Sequence, residues 1–175
     1  MSKIYAFDYM LSLFEEWYNK ENKERNRGFE KCSKLSVLKL LFLASAPKGG
    51  NSIDLLDIFN NYYALPYGPV ESDIYNAIQN DDLPSYTVKD RTIIAKNTQM
   101  PLPYSIGGFS NIKRAVDELK NMNNSLIGLN AFELVEITHK WESWNKSIEF
   151  ARFIGASSYK MTSEAIRNDS SRCFR

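Results

Sequence analysis

Large apolar side chains recur at helical spacing from the start of the chain. Phe7, Met10, Leu11, Phe14, Trp17 and Tyr18 fall at i, i+3, i+4, i+7, i+10 and i+11, on one stripe, while Asp8, Ser12, Glu15 and Glu16 lie off it. The pattern is lost over 19–32, where basic and acidic residues alternate. This predicts a charged linker between the first two helices; interleaved glutamates argue against a basic arm for nucleic acid. Leu35, Leu38, Leu41, Phe42 and Ala46 predict a second helix, with Ser33 as its N-cap. Pro47, Gly49 and Gly50 stop it. Ser52 is placed to cap a short helical piece over 53–59, and an extended stretch should follow.

The segment ALPYGPVESDIY (64–75) sets two prolines and a glycine before a renewed helical pattern. Each proline biases the residue before it away from the α region. Gly68 then reads as an N-cap and Pro69 as the first helical residue, where a missing N–H costs nothing. Glu71 and Asp73 fall in the first turn, beside the positive end of the helix dipole, and Ile74, Tyr75 and Ile78 form the inner face. Tyr86–Val88 and Thr92–Ala95 predict a small β-hairpin near 86–95. Residues 100–108 read as a Pro/Gly linker.

Ser110 is placed to cap a helix carrying Ile112, Val116 and Leu119. Asn130 and Glu133 have capping-box spacing, and Leu134, Ile137, Trp141 and Trp144 continue along one helical face toward Phe150 and Phe153. Thr162 or Ser163 can cap a last short helix through Ile166, and 169–175 should fray. The expectation is a mainly α fold: one compact domain over 1–175, a bundle of about six to eight helices with one small hairpin.

Composition changes this picture little. The 175 residues are 43% hydrophobic and 25% charged, with a formal net charge of +1, so no global field favours nucleic acid or anionic lipid. The greasiest stretch, 35–46, is interrupted by Lys39 and is too short to span a membrane. The opening residues lack the basic start and apolar run of a secretion signal, so a cytoplasmic location is expected. Cys32 and Cys173 read as free thiols there, with a bridge between them the alternative.

Candidate chemistry is sparse. There is no CxxC, HExxH or EF-hand spacing and no phosphate-binding glycine loop, so neither metal nor cofactor is expected. Asp54 and Asp57 lie one helical turn apart, which suits a solvated or dipole-matched face better than a hydrolase carboxylate pair. The sole histidine, His139, reads as a core residue, with a general base as the alternative. No residue is assigned a catalytic role.

Charge placement is more informative. From 51 to 88 there is no Lys or Arg, yet the span holds Asp54, Asp57, Glu71, Asp73, Asp81 and Asp82 together with several tyrosines. Acids set among large rings suit a surface that steers in and anchors a basic protein. The residues expected to face that partner are Tyr62, Tyr63, Tyr67, Glu71, Asp73 and Tyr75.

Three stretches together resemble the Panacea domain of SocA-like antitoxins, also found in phage-associated proteins. They are LKLLFLASA (38–46), YGPVESDIY (67–75) and LVEITHKWESW (134–144), with MTSEAIRN (161–168) similar to the family's last short helix. Ser143 stands where the family usually has proline. The resemblance implies a helical, non-enzymatic protein that binds a toxin encoded beside it, holding it inactive or passing it to a protease. Tyr67, Gly68, Pro69, Val70 and Tyr75 match the first motif, and His139 and Trp144 the second. On this reading the His139 helix packs behind the 67–75 corner from the core side. The readings kept beside it are a phage or mobile-element regulator, a DNA-binding protein using the 110–121 helix, and an enzyme using His139.

Overall fold

A computed structural model describes residues 2–21, 28–97 and 109–175. Seven α-helices appear among them: α1 (Lys3–Glu21), α2 (Lys34–Ser45), α3 (Ser72–Gln79), α4 (Ser110–Met122), α5 (Ala131–His139), α6 (Glu142–Phe153) and α7 (Ser163–Arg167). Strands β1 (Tyr62–Leu65), β2 (Gly68–Glu71) and β5 (Tyr159–Met161) form an antiparallel sheet in the order β2-β1-β5, and β3 (Tyr86–Val88) pairs with β4 (Ile93–Ala95). The mainly α fold and the hairpin near 86–95 are as expected. Residues 22–27 of the 19–32 linker and all of the 100–108 linker lie outside the described residues; 19–21 belong to the end of α1, and Phe29–Lys31 form a short 3-10 turn. Among the described residues no helix is long and apolar enough to cross a membrane.

Helix α2 is the centre of the molecule. Every residue from Ser36 to Ser45 is buried, so this helix has no solvent face. It packs against α1, α4, α5 and β2. Ser33 caps it as its position predicts, accepting from the N–H of Ser36 at 3.0 Å. The α1 stripe is buried as predicted, but Asp8 is buried too. Its carboxylate accepts the backbone N–H of Ser85 at 2.9 Å and so ties α1 to the strand entering the β3–β4 hairpin.

Four local expectations are corrected. The 53–59 stretch makes one turn, closed by the Phe59 N–H on Leu55 O, and no helix. Gly68 and Pro69 do not start a helix; they lie in β2, and Glu71 caps α3 by accepting the Ile74 N–H at 2.9 Å. Pro69 can sit there because β2 is an edge strand, where a missing N–H breaks no ladder. Phe109, not Ser110, occupies the N-cap position of α4. The helix expected to run on from Asn130 breaks at Lys140–Trp141. Its first half opens with the anticipated Asn130–Glu133 capping box, and its second half restarts where Asp169 accepts the Ser143 N–H at 2.6 Å.

That last contact belongs to a wider correction. The tail expected to fray is held by the core. Phe174 is buried and meets Trp141 edge-on, with ring centroids 5.4 Å apart. Trp141 Nε1 donates to Cys173 O at 2.9 Å, and Asn123 Nδ2 donates to Phe174 O at 2.8 Å. The tail thus caps one helix and covers a tryptophan that would otherwise meet water. Replacing Phe174 with alanine should lower unfolding free energy by about 3 kcal/mol, the usual cost of emptying an aromatic site. Urea titration followed by tryptophan fluorescence would measure it.

Candidate functional site

The two sequence motifs meet at one corner. Strands β1 and β2 are joined through Pro66 and Tyr67, with Leu65 opposite Gly68 in the register. Pro66 presets a turn φ, and Gly68 takes φ +91°, a conformation L-residues rarely adopt. Glycine is required there for a second reason. A Cβ on Gly68 would lie 2.5 Å from Thr138 Oγ1 and 3.2 Å from Lys39 Nζ. The backbone of the turn therefore rests directly on side chains of α5 and α2.

Those side chains hold it by its carbonyls. Lys39 is wholly buried in α2, and its Nζ donates to Pro69 O at 2.7 Å. Trp144 Nε1 donates to Leu65 O at 3.0 Å. The His139 ring lies flat on Trp144, with centroids 3.9 Å apart and planes 8° apart, and donates to the Pro66 carbonyl. The other ring nitrogen, Nε2, is buried without a partner. Burial, first among several causes, pulls the His139 pKa below its ordinary value, favouring the neutral ring. The helix carrying His139 does pack behind the corner, as expected, and Gly68, Pro69, His139 and Trp144 all belong to the contact. Val70 is buried in β2.

The expected partner-facing residues divide. Tyr67 projects outward, 60% exposed, and meets Phe132 of α5 edge-on at 6.4 Å; Phe132 is 67% exposed. Tyr63 and Tyr75 are half-buried, and Lys34 Nζ sits 5.3 Å above the Tyr75 ring. Tyr62 and Glu71, in contrast, are buried at 1% and 0% exposure, which corrects the expectation that both face a partner. They are register partners, and Tyr62 also pairs with Met161, so strand alternation turns all three toward the core.

The acidic character of this region is also largely spent inside the chain. Lys3 Nζ lies 2.6 Å from Glu71 Oε1 and 2.5 Å from Asp73 Oδ2, and this pairing holds the exposed Asp73 carboxyl below its usual range. Asn61 adds a bond from its side-chain amide to Asp73 and one from its backbone N–H to Glu71. Arg167 binds both Asp54 and Asp57, and Lys96 binds Asp81. The cations missing from 51–88 arrive from distant parts of the sequence.

Reasoning from sequence missed Lys39, Thr138 and Phe132. Lys39 looked like an interruption of an apolar run. A lone lysine in a helix buried on every side was in fact the signal of a backbone carbonyl waiting for it. Phe132 lay off the apolar stripe, which is what an outward ring does.

The family model described as "Antitoxin SocA-like, Panacea domain" matches residues 37–145, a span that begins in α2 and ends just past Trp144. No curated protein and no solved structure matches the chain.

The buried lysine gives the site a pH signature. Burial pulls Lys39 down to about 7 from 10.5. Between those values the unfolded chain holds one more proton than the native one, so stability rises with pH across that window and gains nothing from this group below it. Lys39→Met should remove that rise, read as unfolding free energy against pH. Gly68→Ala should cost about 3 kcal/mol through backbone strain and overpacking against Thr138, in the same titration at neutral pH.

Proposed function

The chain belongs to the SocA-like antitoxin family of Panacea domains, and on that premise we propose that it neutralises a cognate toxin by direct contact at the tip of the β1–β2 hairpin. The observation that carries this reading is the exposed pair Tyr67 and Phe132. Two large rings meet in solvent, one on a turn whose backbone is pinned from three helices and the other on the first turn of α5. Rigid aromatic anchors are what protein interfaces use as energetic centres, because little freedom is lost on binding. Tyr63 lies farther down β1 and Asp73 and Tyr75 lie on α3, beyond the open end of the hairpin where Tyr62 and Glu71 are buried.

Attraction of a basic partner contributes less than the apolar anchors, since Lys3, Arg167 and Lys96 already answer the nearby acids. Holding the toxin inactive and handing it to a protease are two outcomes of the same contact. The chemistry around His139 supports binding over catalysis: one ring face lies on Trp144 and one nitrogen holds the turn. The helix that would read DNA, α4, has Lys113 paired with Asp117 and Arg114 with Glu118.

The test is co-expression of the tagged protein with the products of its neighbouring genes. One neighbour should be toxic alone, be rescued by this protein and co-purify with it. Tyr67→Ser combined with Phe132→Ser should abolish both rescue and co-purification while the thermal melt stays near that of the parent. Ile94→Ser, an exposed site on β4, should change nothing. Full rescue by the double variant would refute the assignment.

A further inference from the structure

The three-stranded sheet has one closed edge and one open edge. The Ser72 N–H donates to Asn61 O at 2.9 Å, so in the β1–β2 ladder the bonded pairs are Tyr63–Val70 and Leu65–Gly68. Tyr62 and Ala64 therefore turn their N–H and C=O groups toward β5, where Met161 and Tyr159 face them. Lys160, between those two, turns its own N–H and C=O away from β1. No strand lies on that side, and among the described residues no hydrogen bond reaches either group. The β2 edge is different: Pro69 has no N–H, and its C=O takes Lys39.

The open edge is lined with rings on one face. Tyr159 meets Phe150 of α6 edge-on, with centroids 4.6 Å apart, and Phe150 lies 6.5 Å from Phe153. Phe153 is 87% exposed, and Ile154 is exposed beside it. Together the four side chains leave roughly 400 Å² of apolar surface open, taking about 200 Å² for a whole aromatic ring. A patch of that size beside free backbone groups marks an interaction surface.

We propose that the open edge of β5 takes an extended segment of another polypeptide as a fourth, antiparallel strand, with apolar side chains at alternate positions. The partner residue opposite Lys160 exchanges both backbone bonds with it. That residue's two neighbours place apolar side chains on the face of Tyr159 and Phe150. A second copy of this chain fits poorly. Pairing two β5 strands about their centre sets Lys160 opposite Lys160, a like-charge contact. The open apolar area is also about half of the roughly 800 Å² per partner that a stable globular interface covers, which suits a single strand. The inference stands on the sheet edge and does not depend on the Tyr67–Phe132 contact.

The probe is a labelled, end-capped seven-residue peptide of alternating valine and threonine, titrated into the full chain by fluorescence anisotropy. In the proposed register valines face the rings and threonine amides face Lys160. Methylating the threonine amides should weaken binding at least tenfold relative to methylating the valine amides, which point away from the edge. Lys160→Pro removes the outward N–H and leaves the bonded pairs with β1 in place; it should weaken binding about tenfold with the thermal melt unchanged. Phe153→Ser, at a solvent-exposed ring, should do the same and tests the edge even where Lys160→Pro disturbs the fold. No binding of the unmodified peptide, equal affinity of the two methylated peptides, or binding indifferent to Phe153→Ser overturns the inference. A dimer in sedimentation velocity that Phe153→Ser dissociates would give the edge to a second copy and overturn it equally.

Discussion

The close approach of the Gly68 backbone to Thr138 and Lys39 is the constraint on which the corner depends. No side chain fits between them, and the positive φ excludes most L-residues independently. With the turn pressed flat on α2 and α5, its carbonyls at Leu65, Pro66 and Pro69 each find a donor from a different helix. Buried carbonyls without donors would be costly. The turn is therefore held by backbone satisfaction as much as by packing, and Tyr67 inherits its fixed direction.

Lys39 shows how the central helix serves this corner. A lysine in a helix with no solvent face carries a desolvation cost, offset here by one strong bond to Pro69 O and no carboxylate. The Thr138 hydroxyl meanwhile satisfies Val135 O within its own helix, leaving its bulk to set the distance to the turn. His139 and Trp144 act as a stacked unit whose two ring N–H groups grip consecutive residues of the turn. A polar set of this kind, in a mostly apolar core, specifies one register where apolar packing alone would tolerate slippage.

Charge is redistributed by the fold in a way that alters the functional reading. Lys3 reaches from the start of α1 to the cap of α3, and Arg167 reaches from α7 to the turn after α2. These pairs brace distant segments against one another and leave the hairpin tip dominated by rings.

Local rules settled a good deal from the amino acids alone. The helical stripes of α1 and α4, the Ser33, Thr162 and Asn130 caps, and the β3–β4 hairpin all follow from spacing and capping chemistry between near neighbours. The motif residues Gly68, Pro69, His139 and Trp144 were legible as a set for the same reason: they are unusual residues at fixed offsets. Tertiary structure decided what depended on partners far away. Met161, in strand β5, pairs with Tyr62 and helps turn Tyr62 and Glu71 inward; Asp169 in the tail restarts α6; Lys3 and Arg167 quench the 51–88 acids. Each is a contact between residues dozens of positions apart, and no periodicity within a segment encodes which distant group will arrive to complete it.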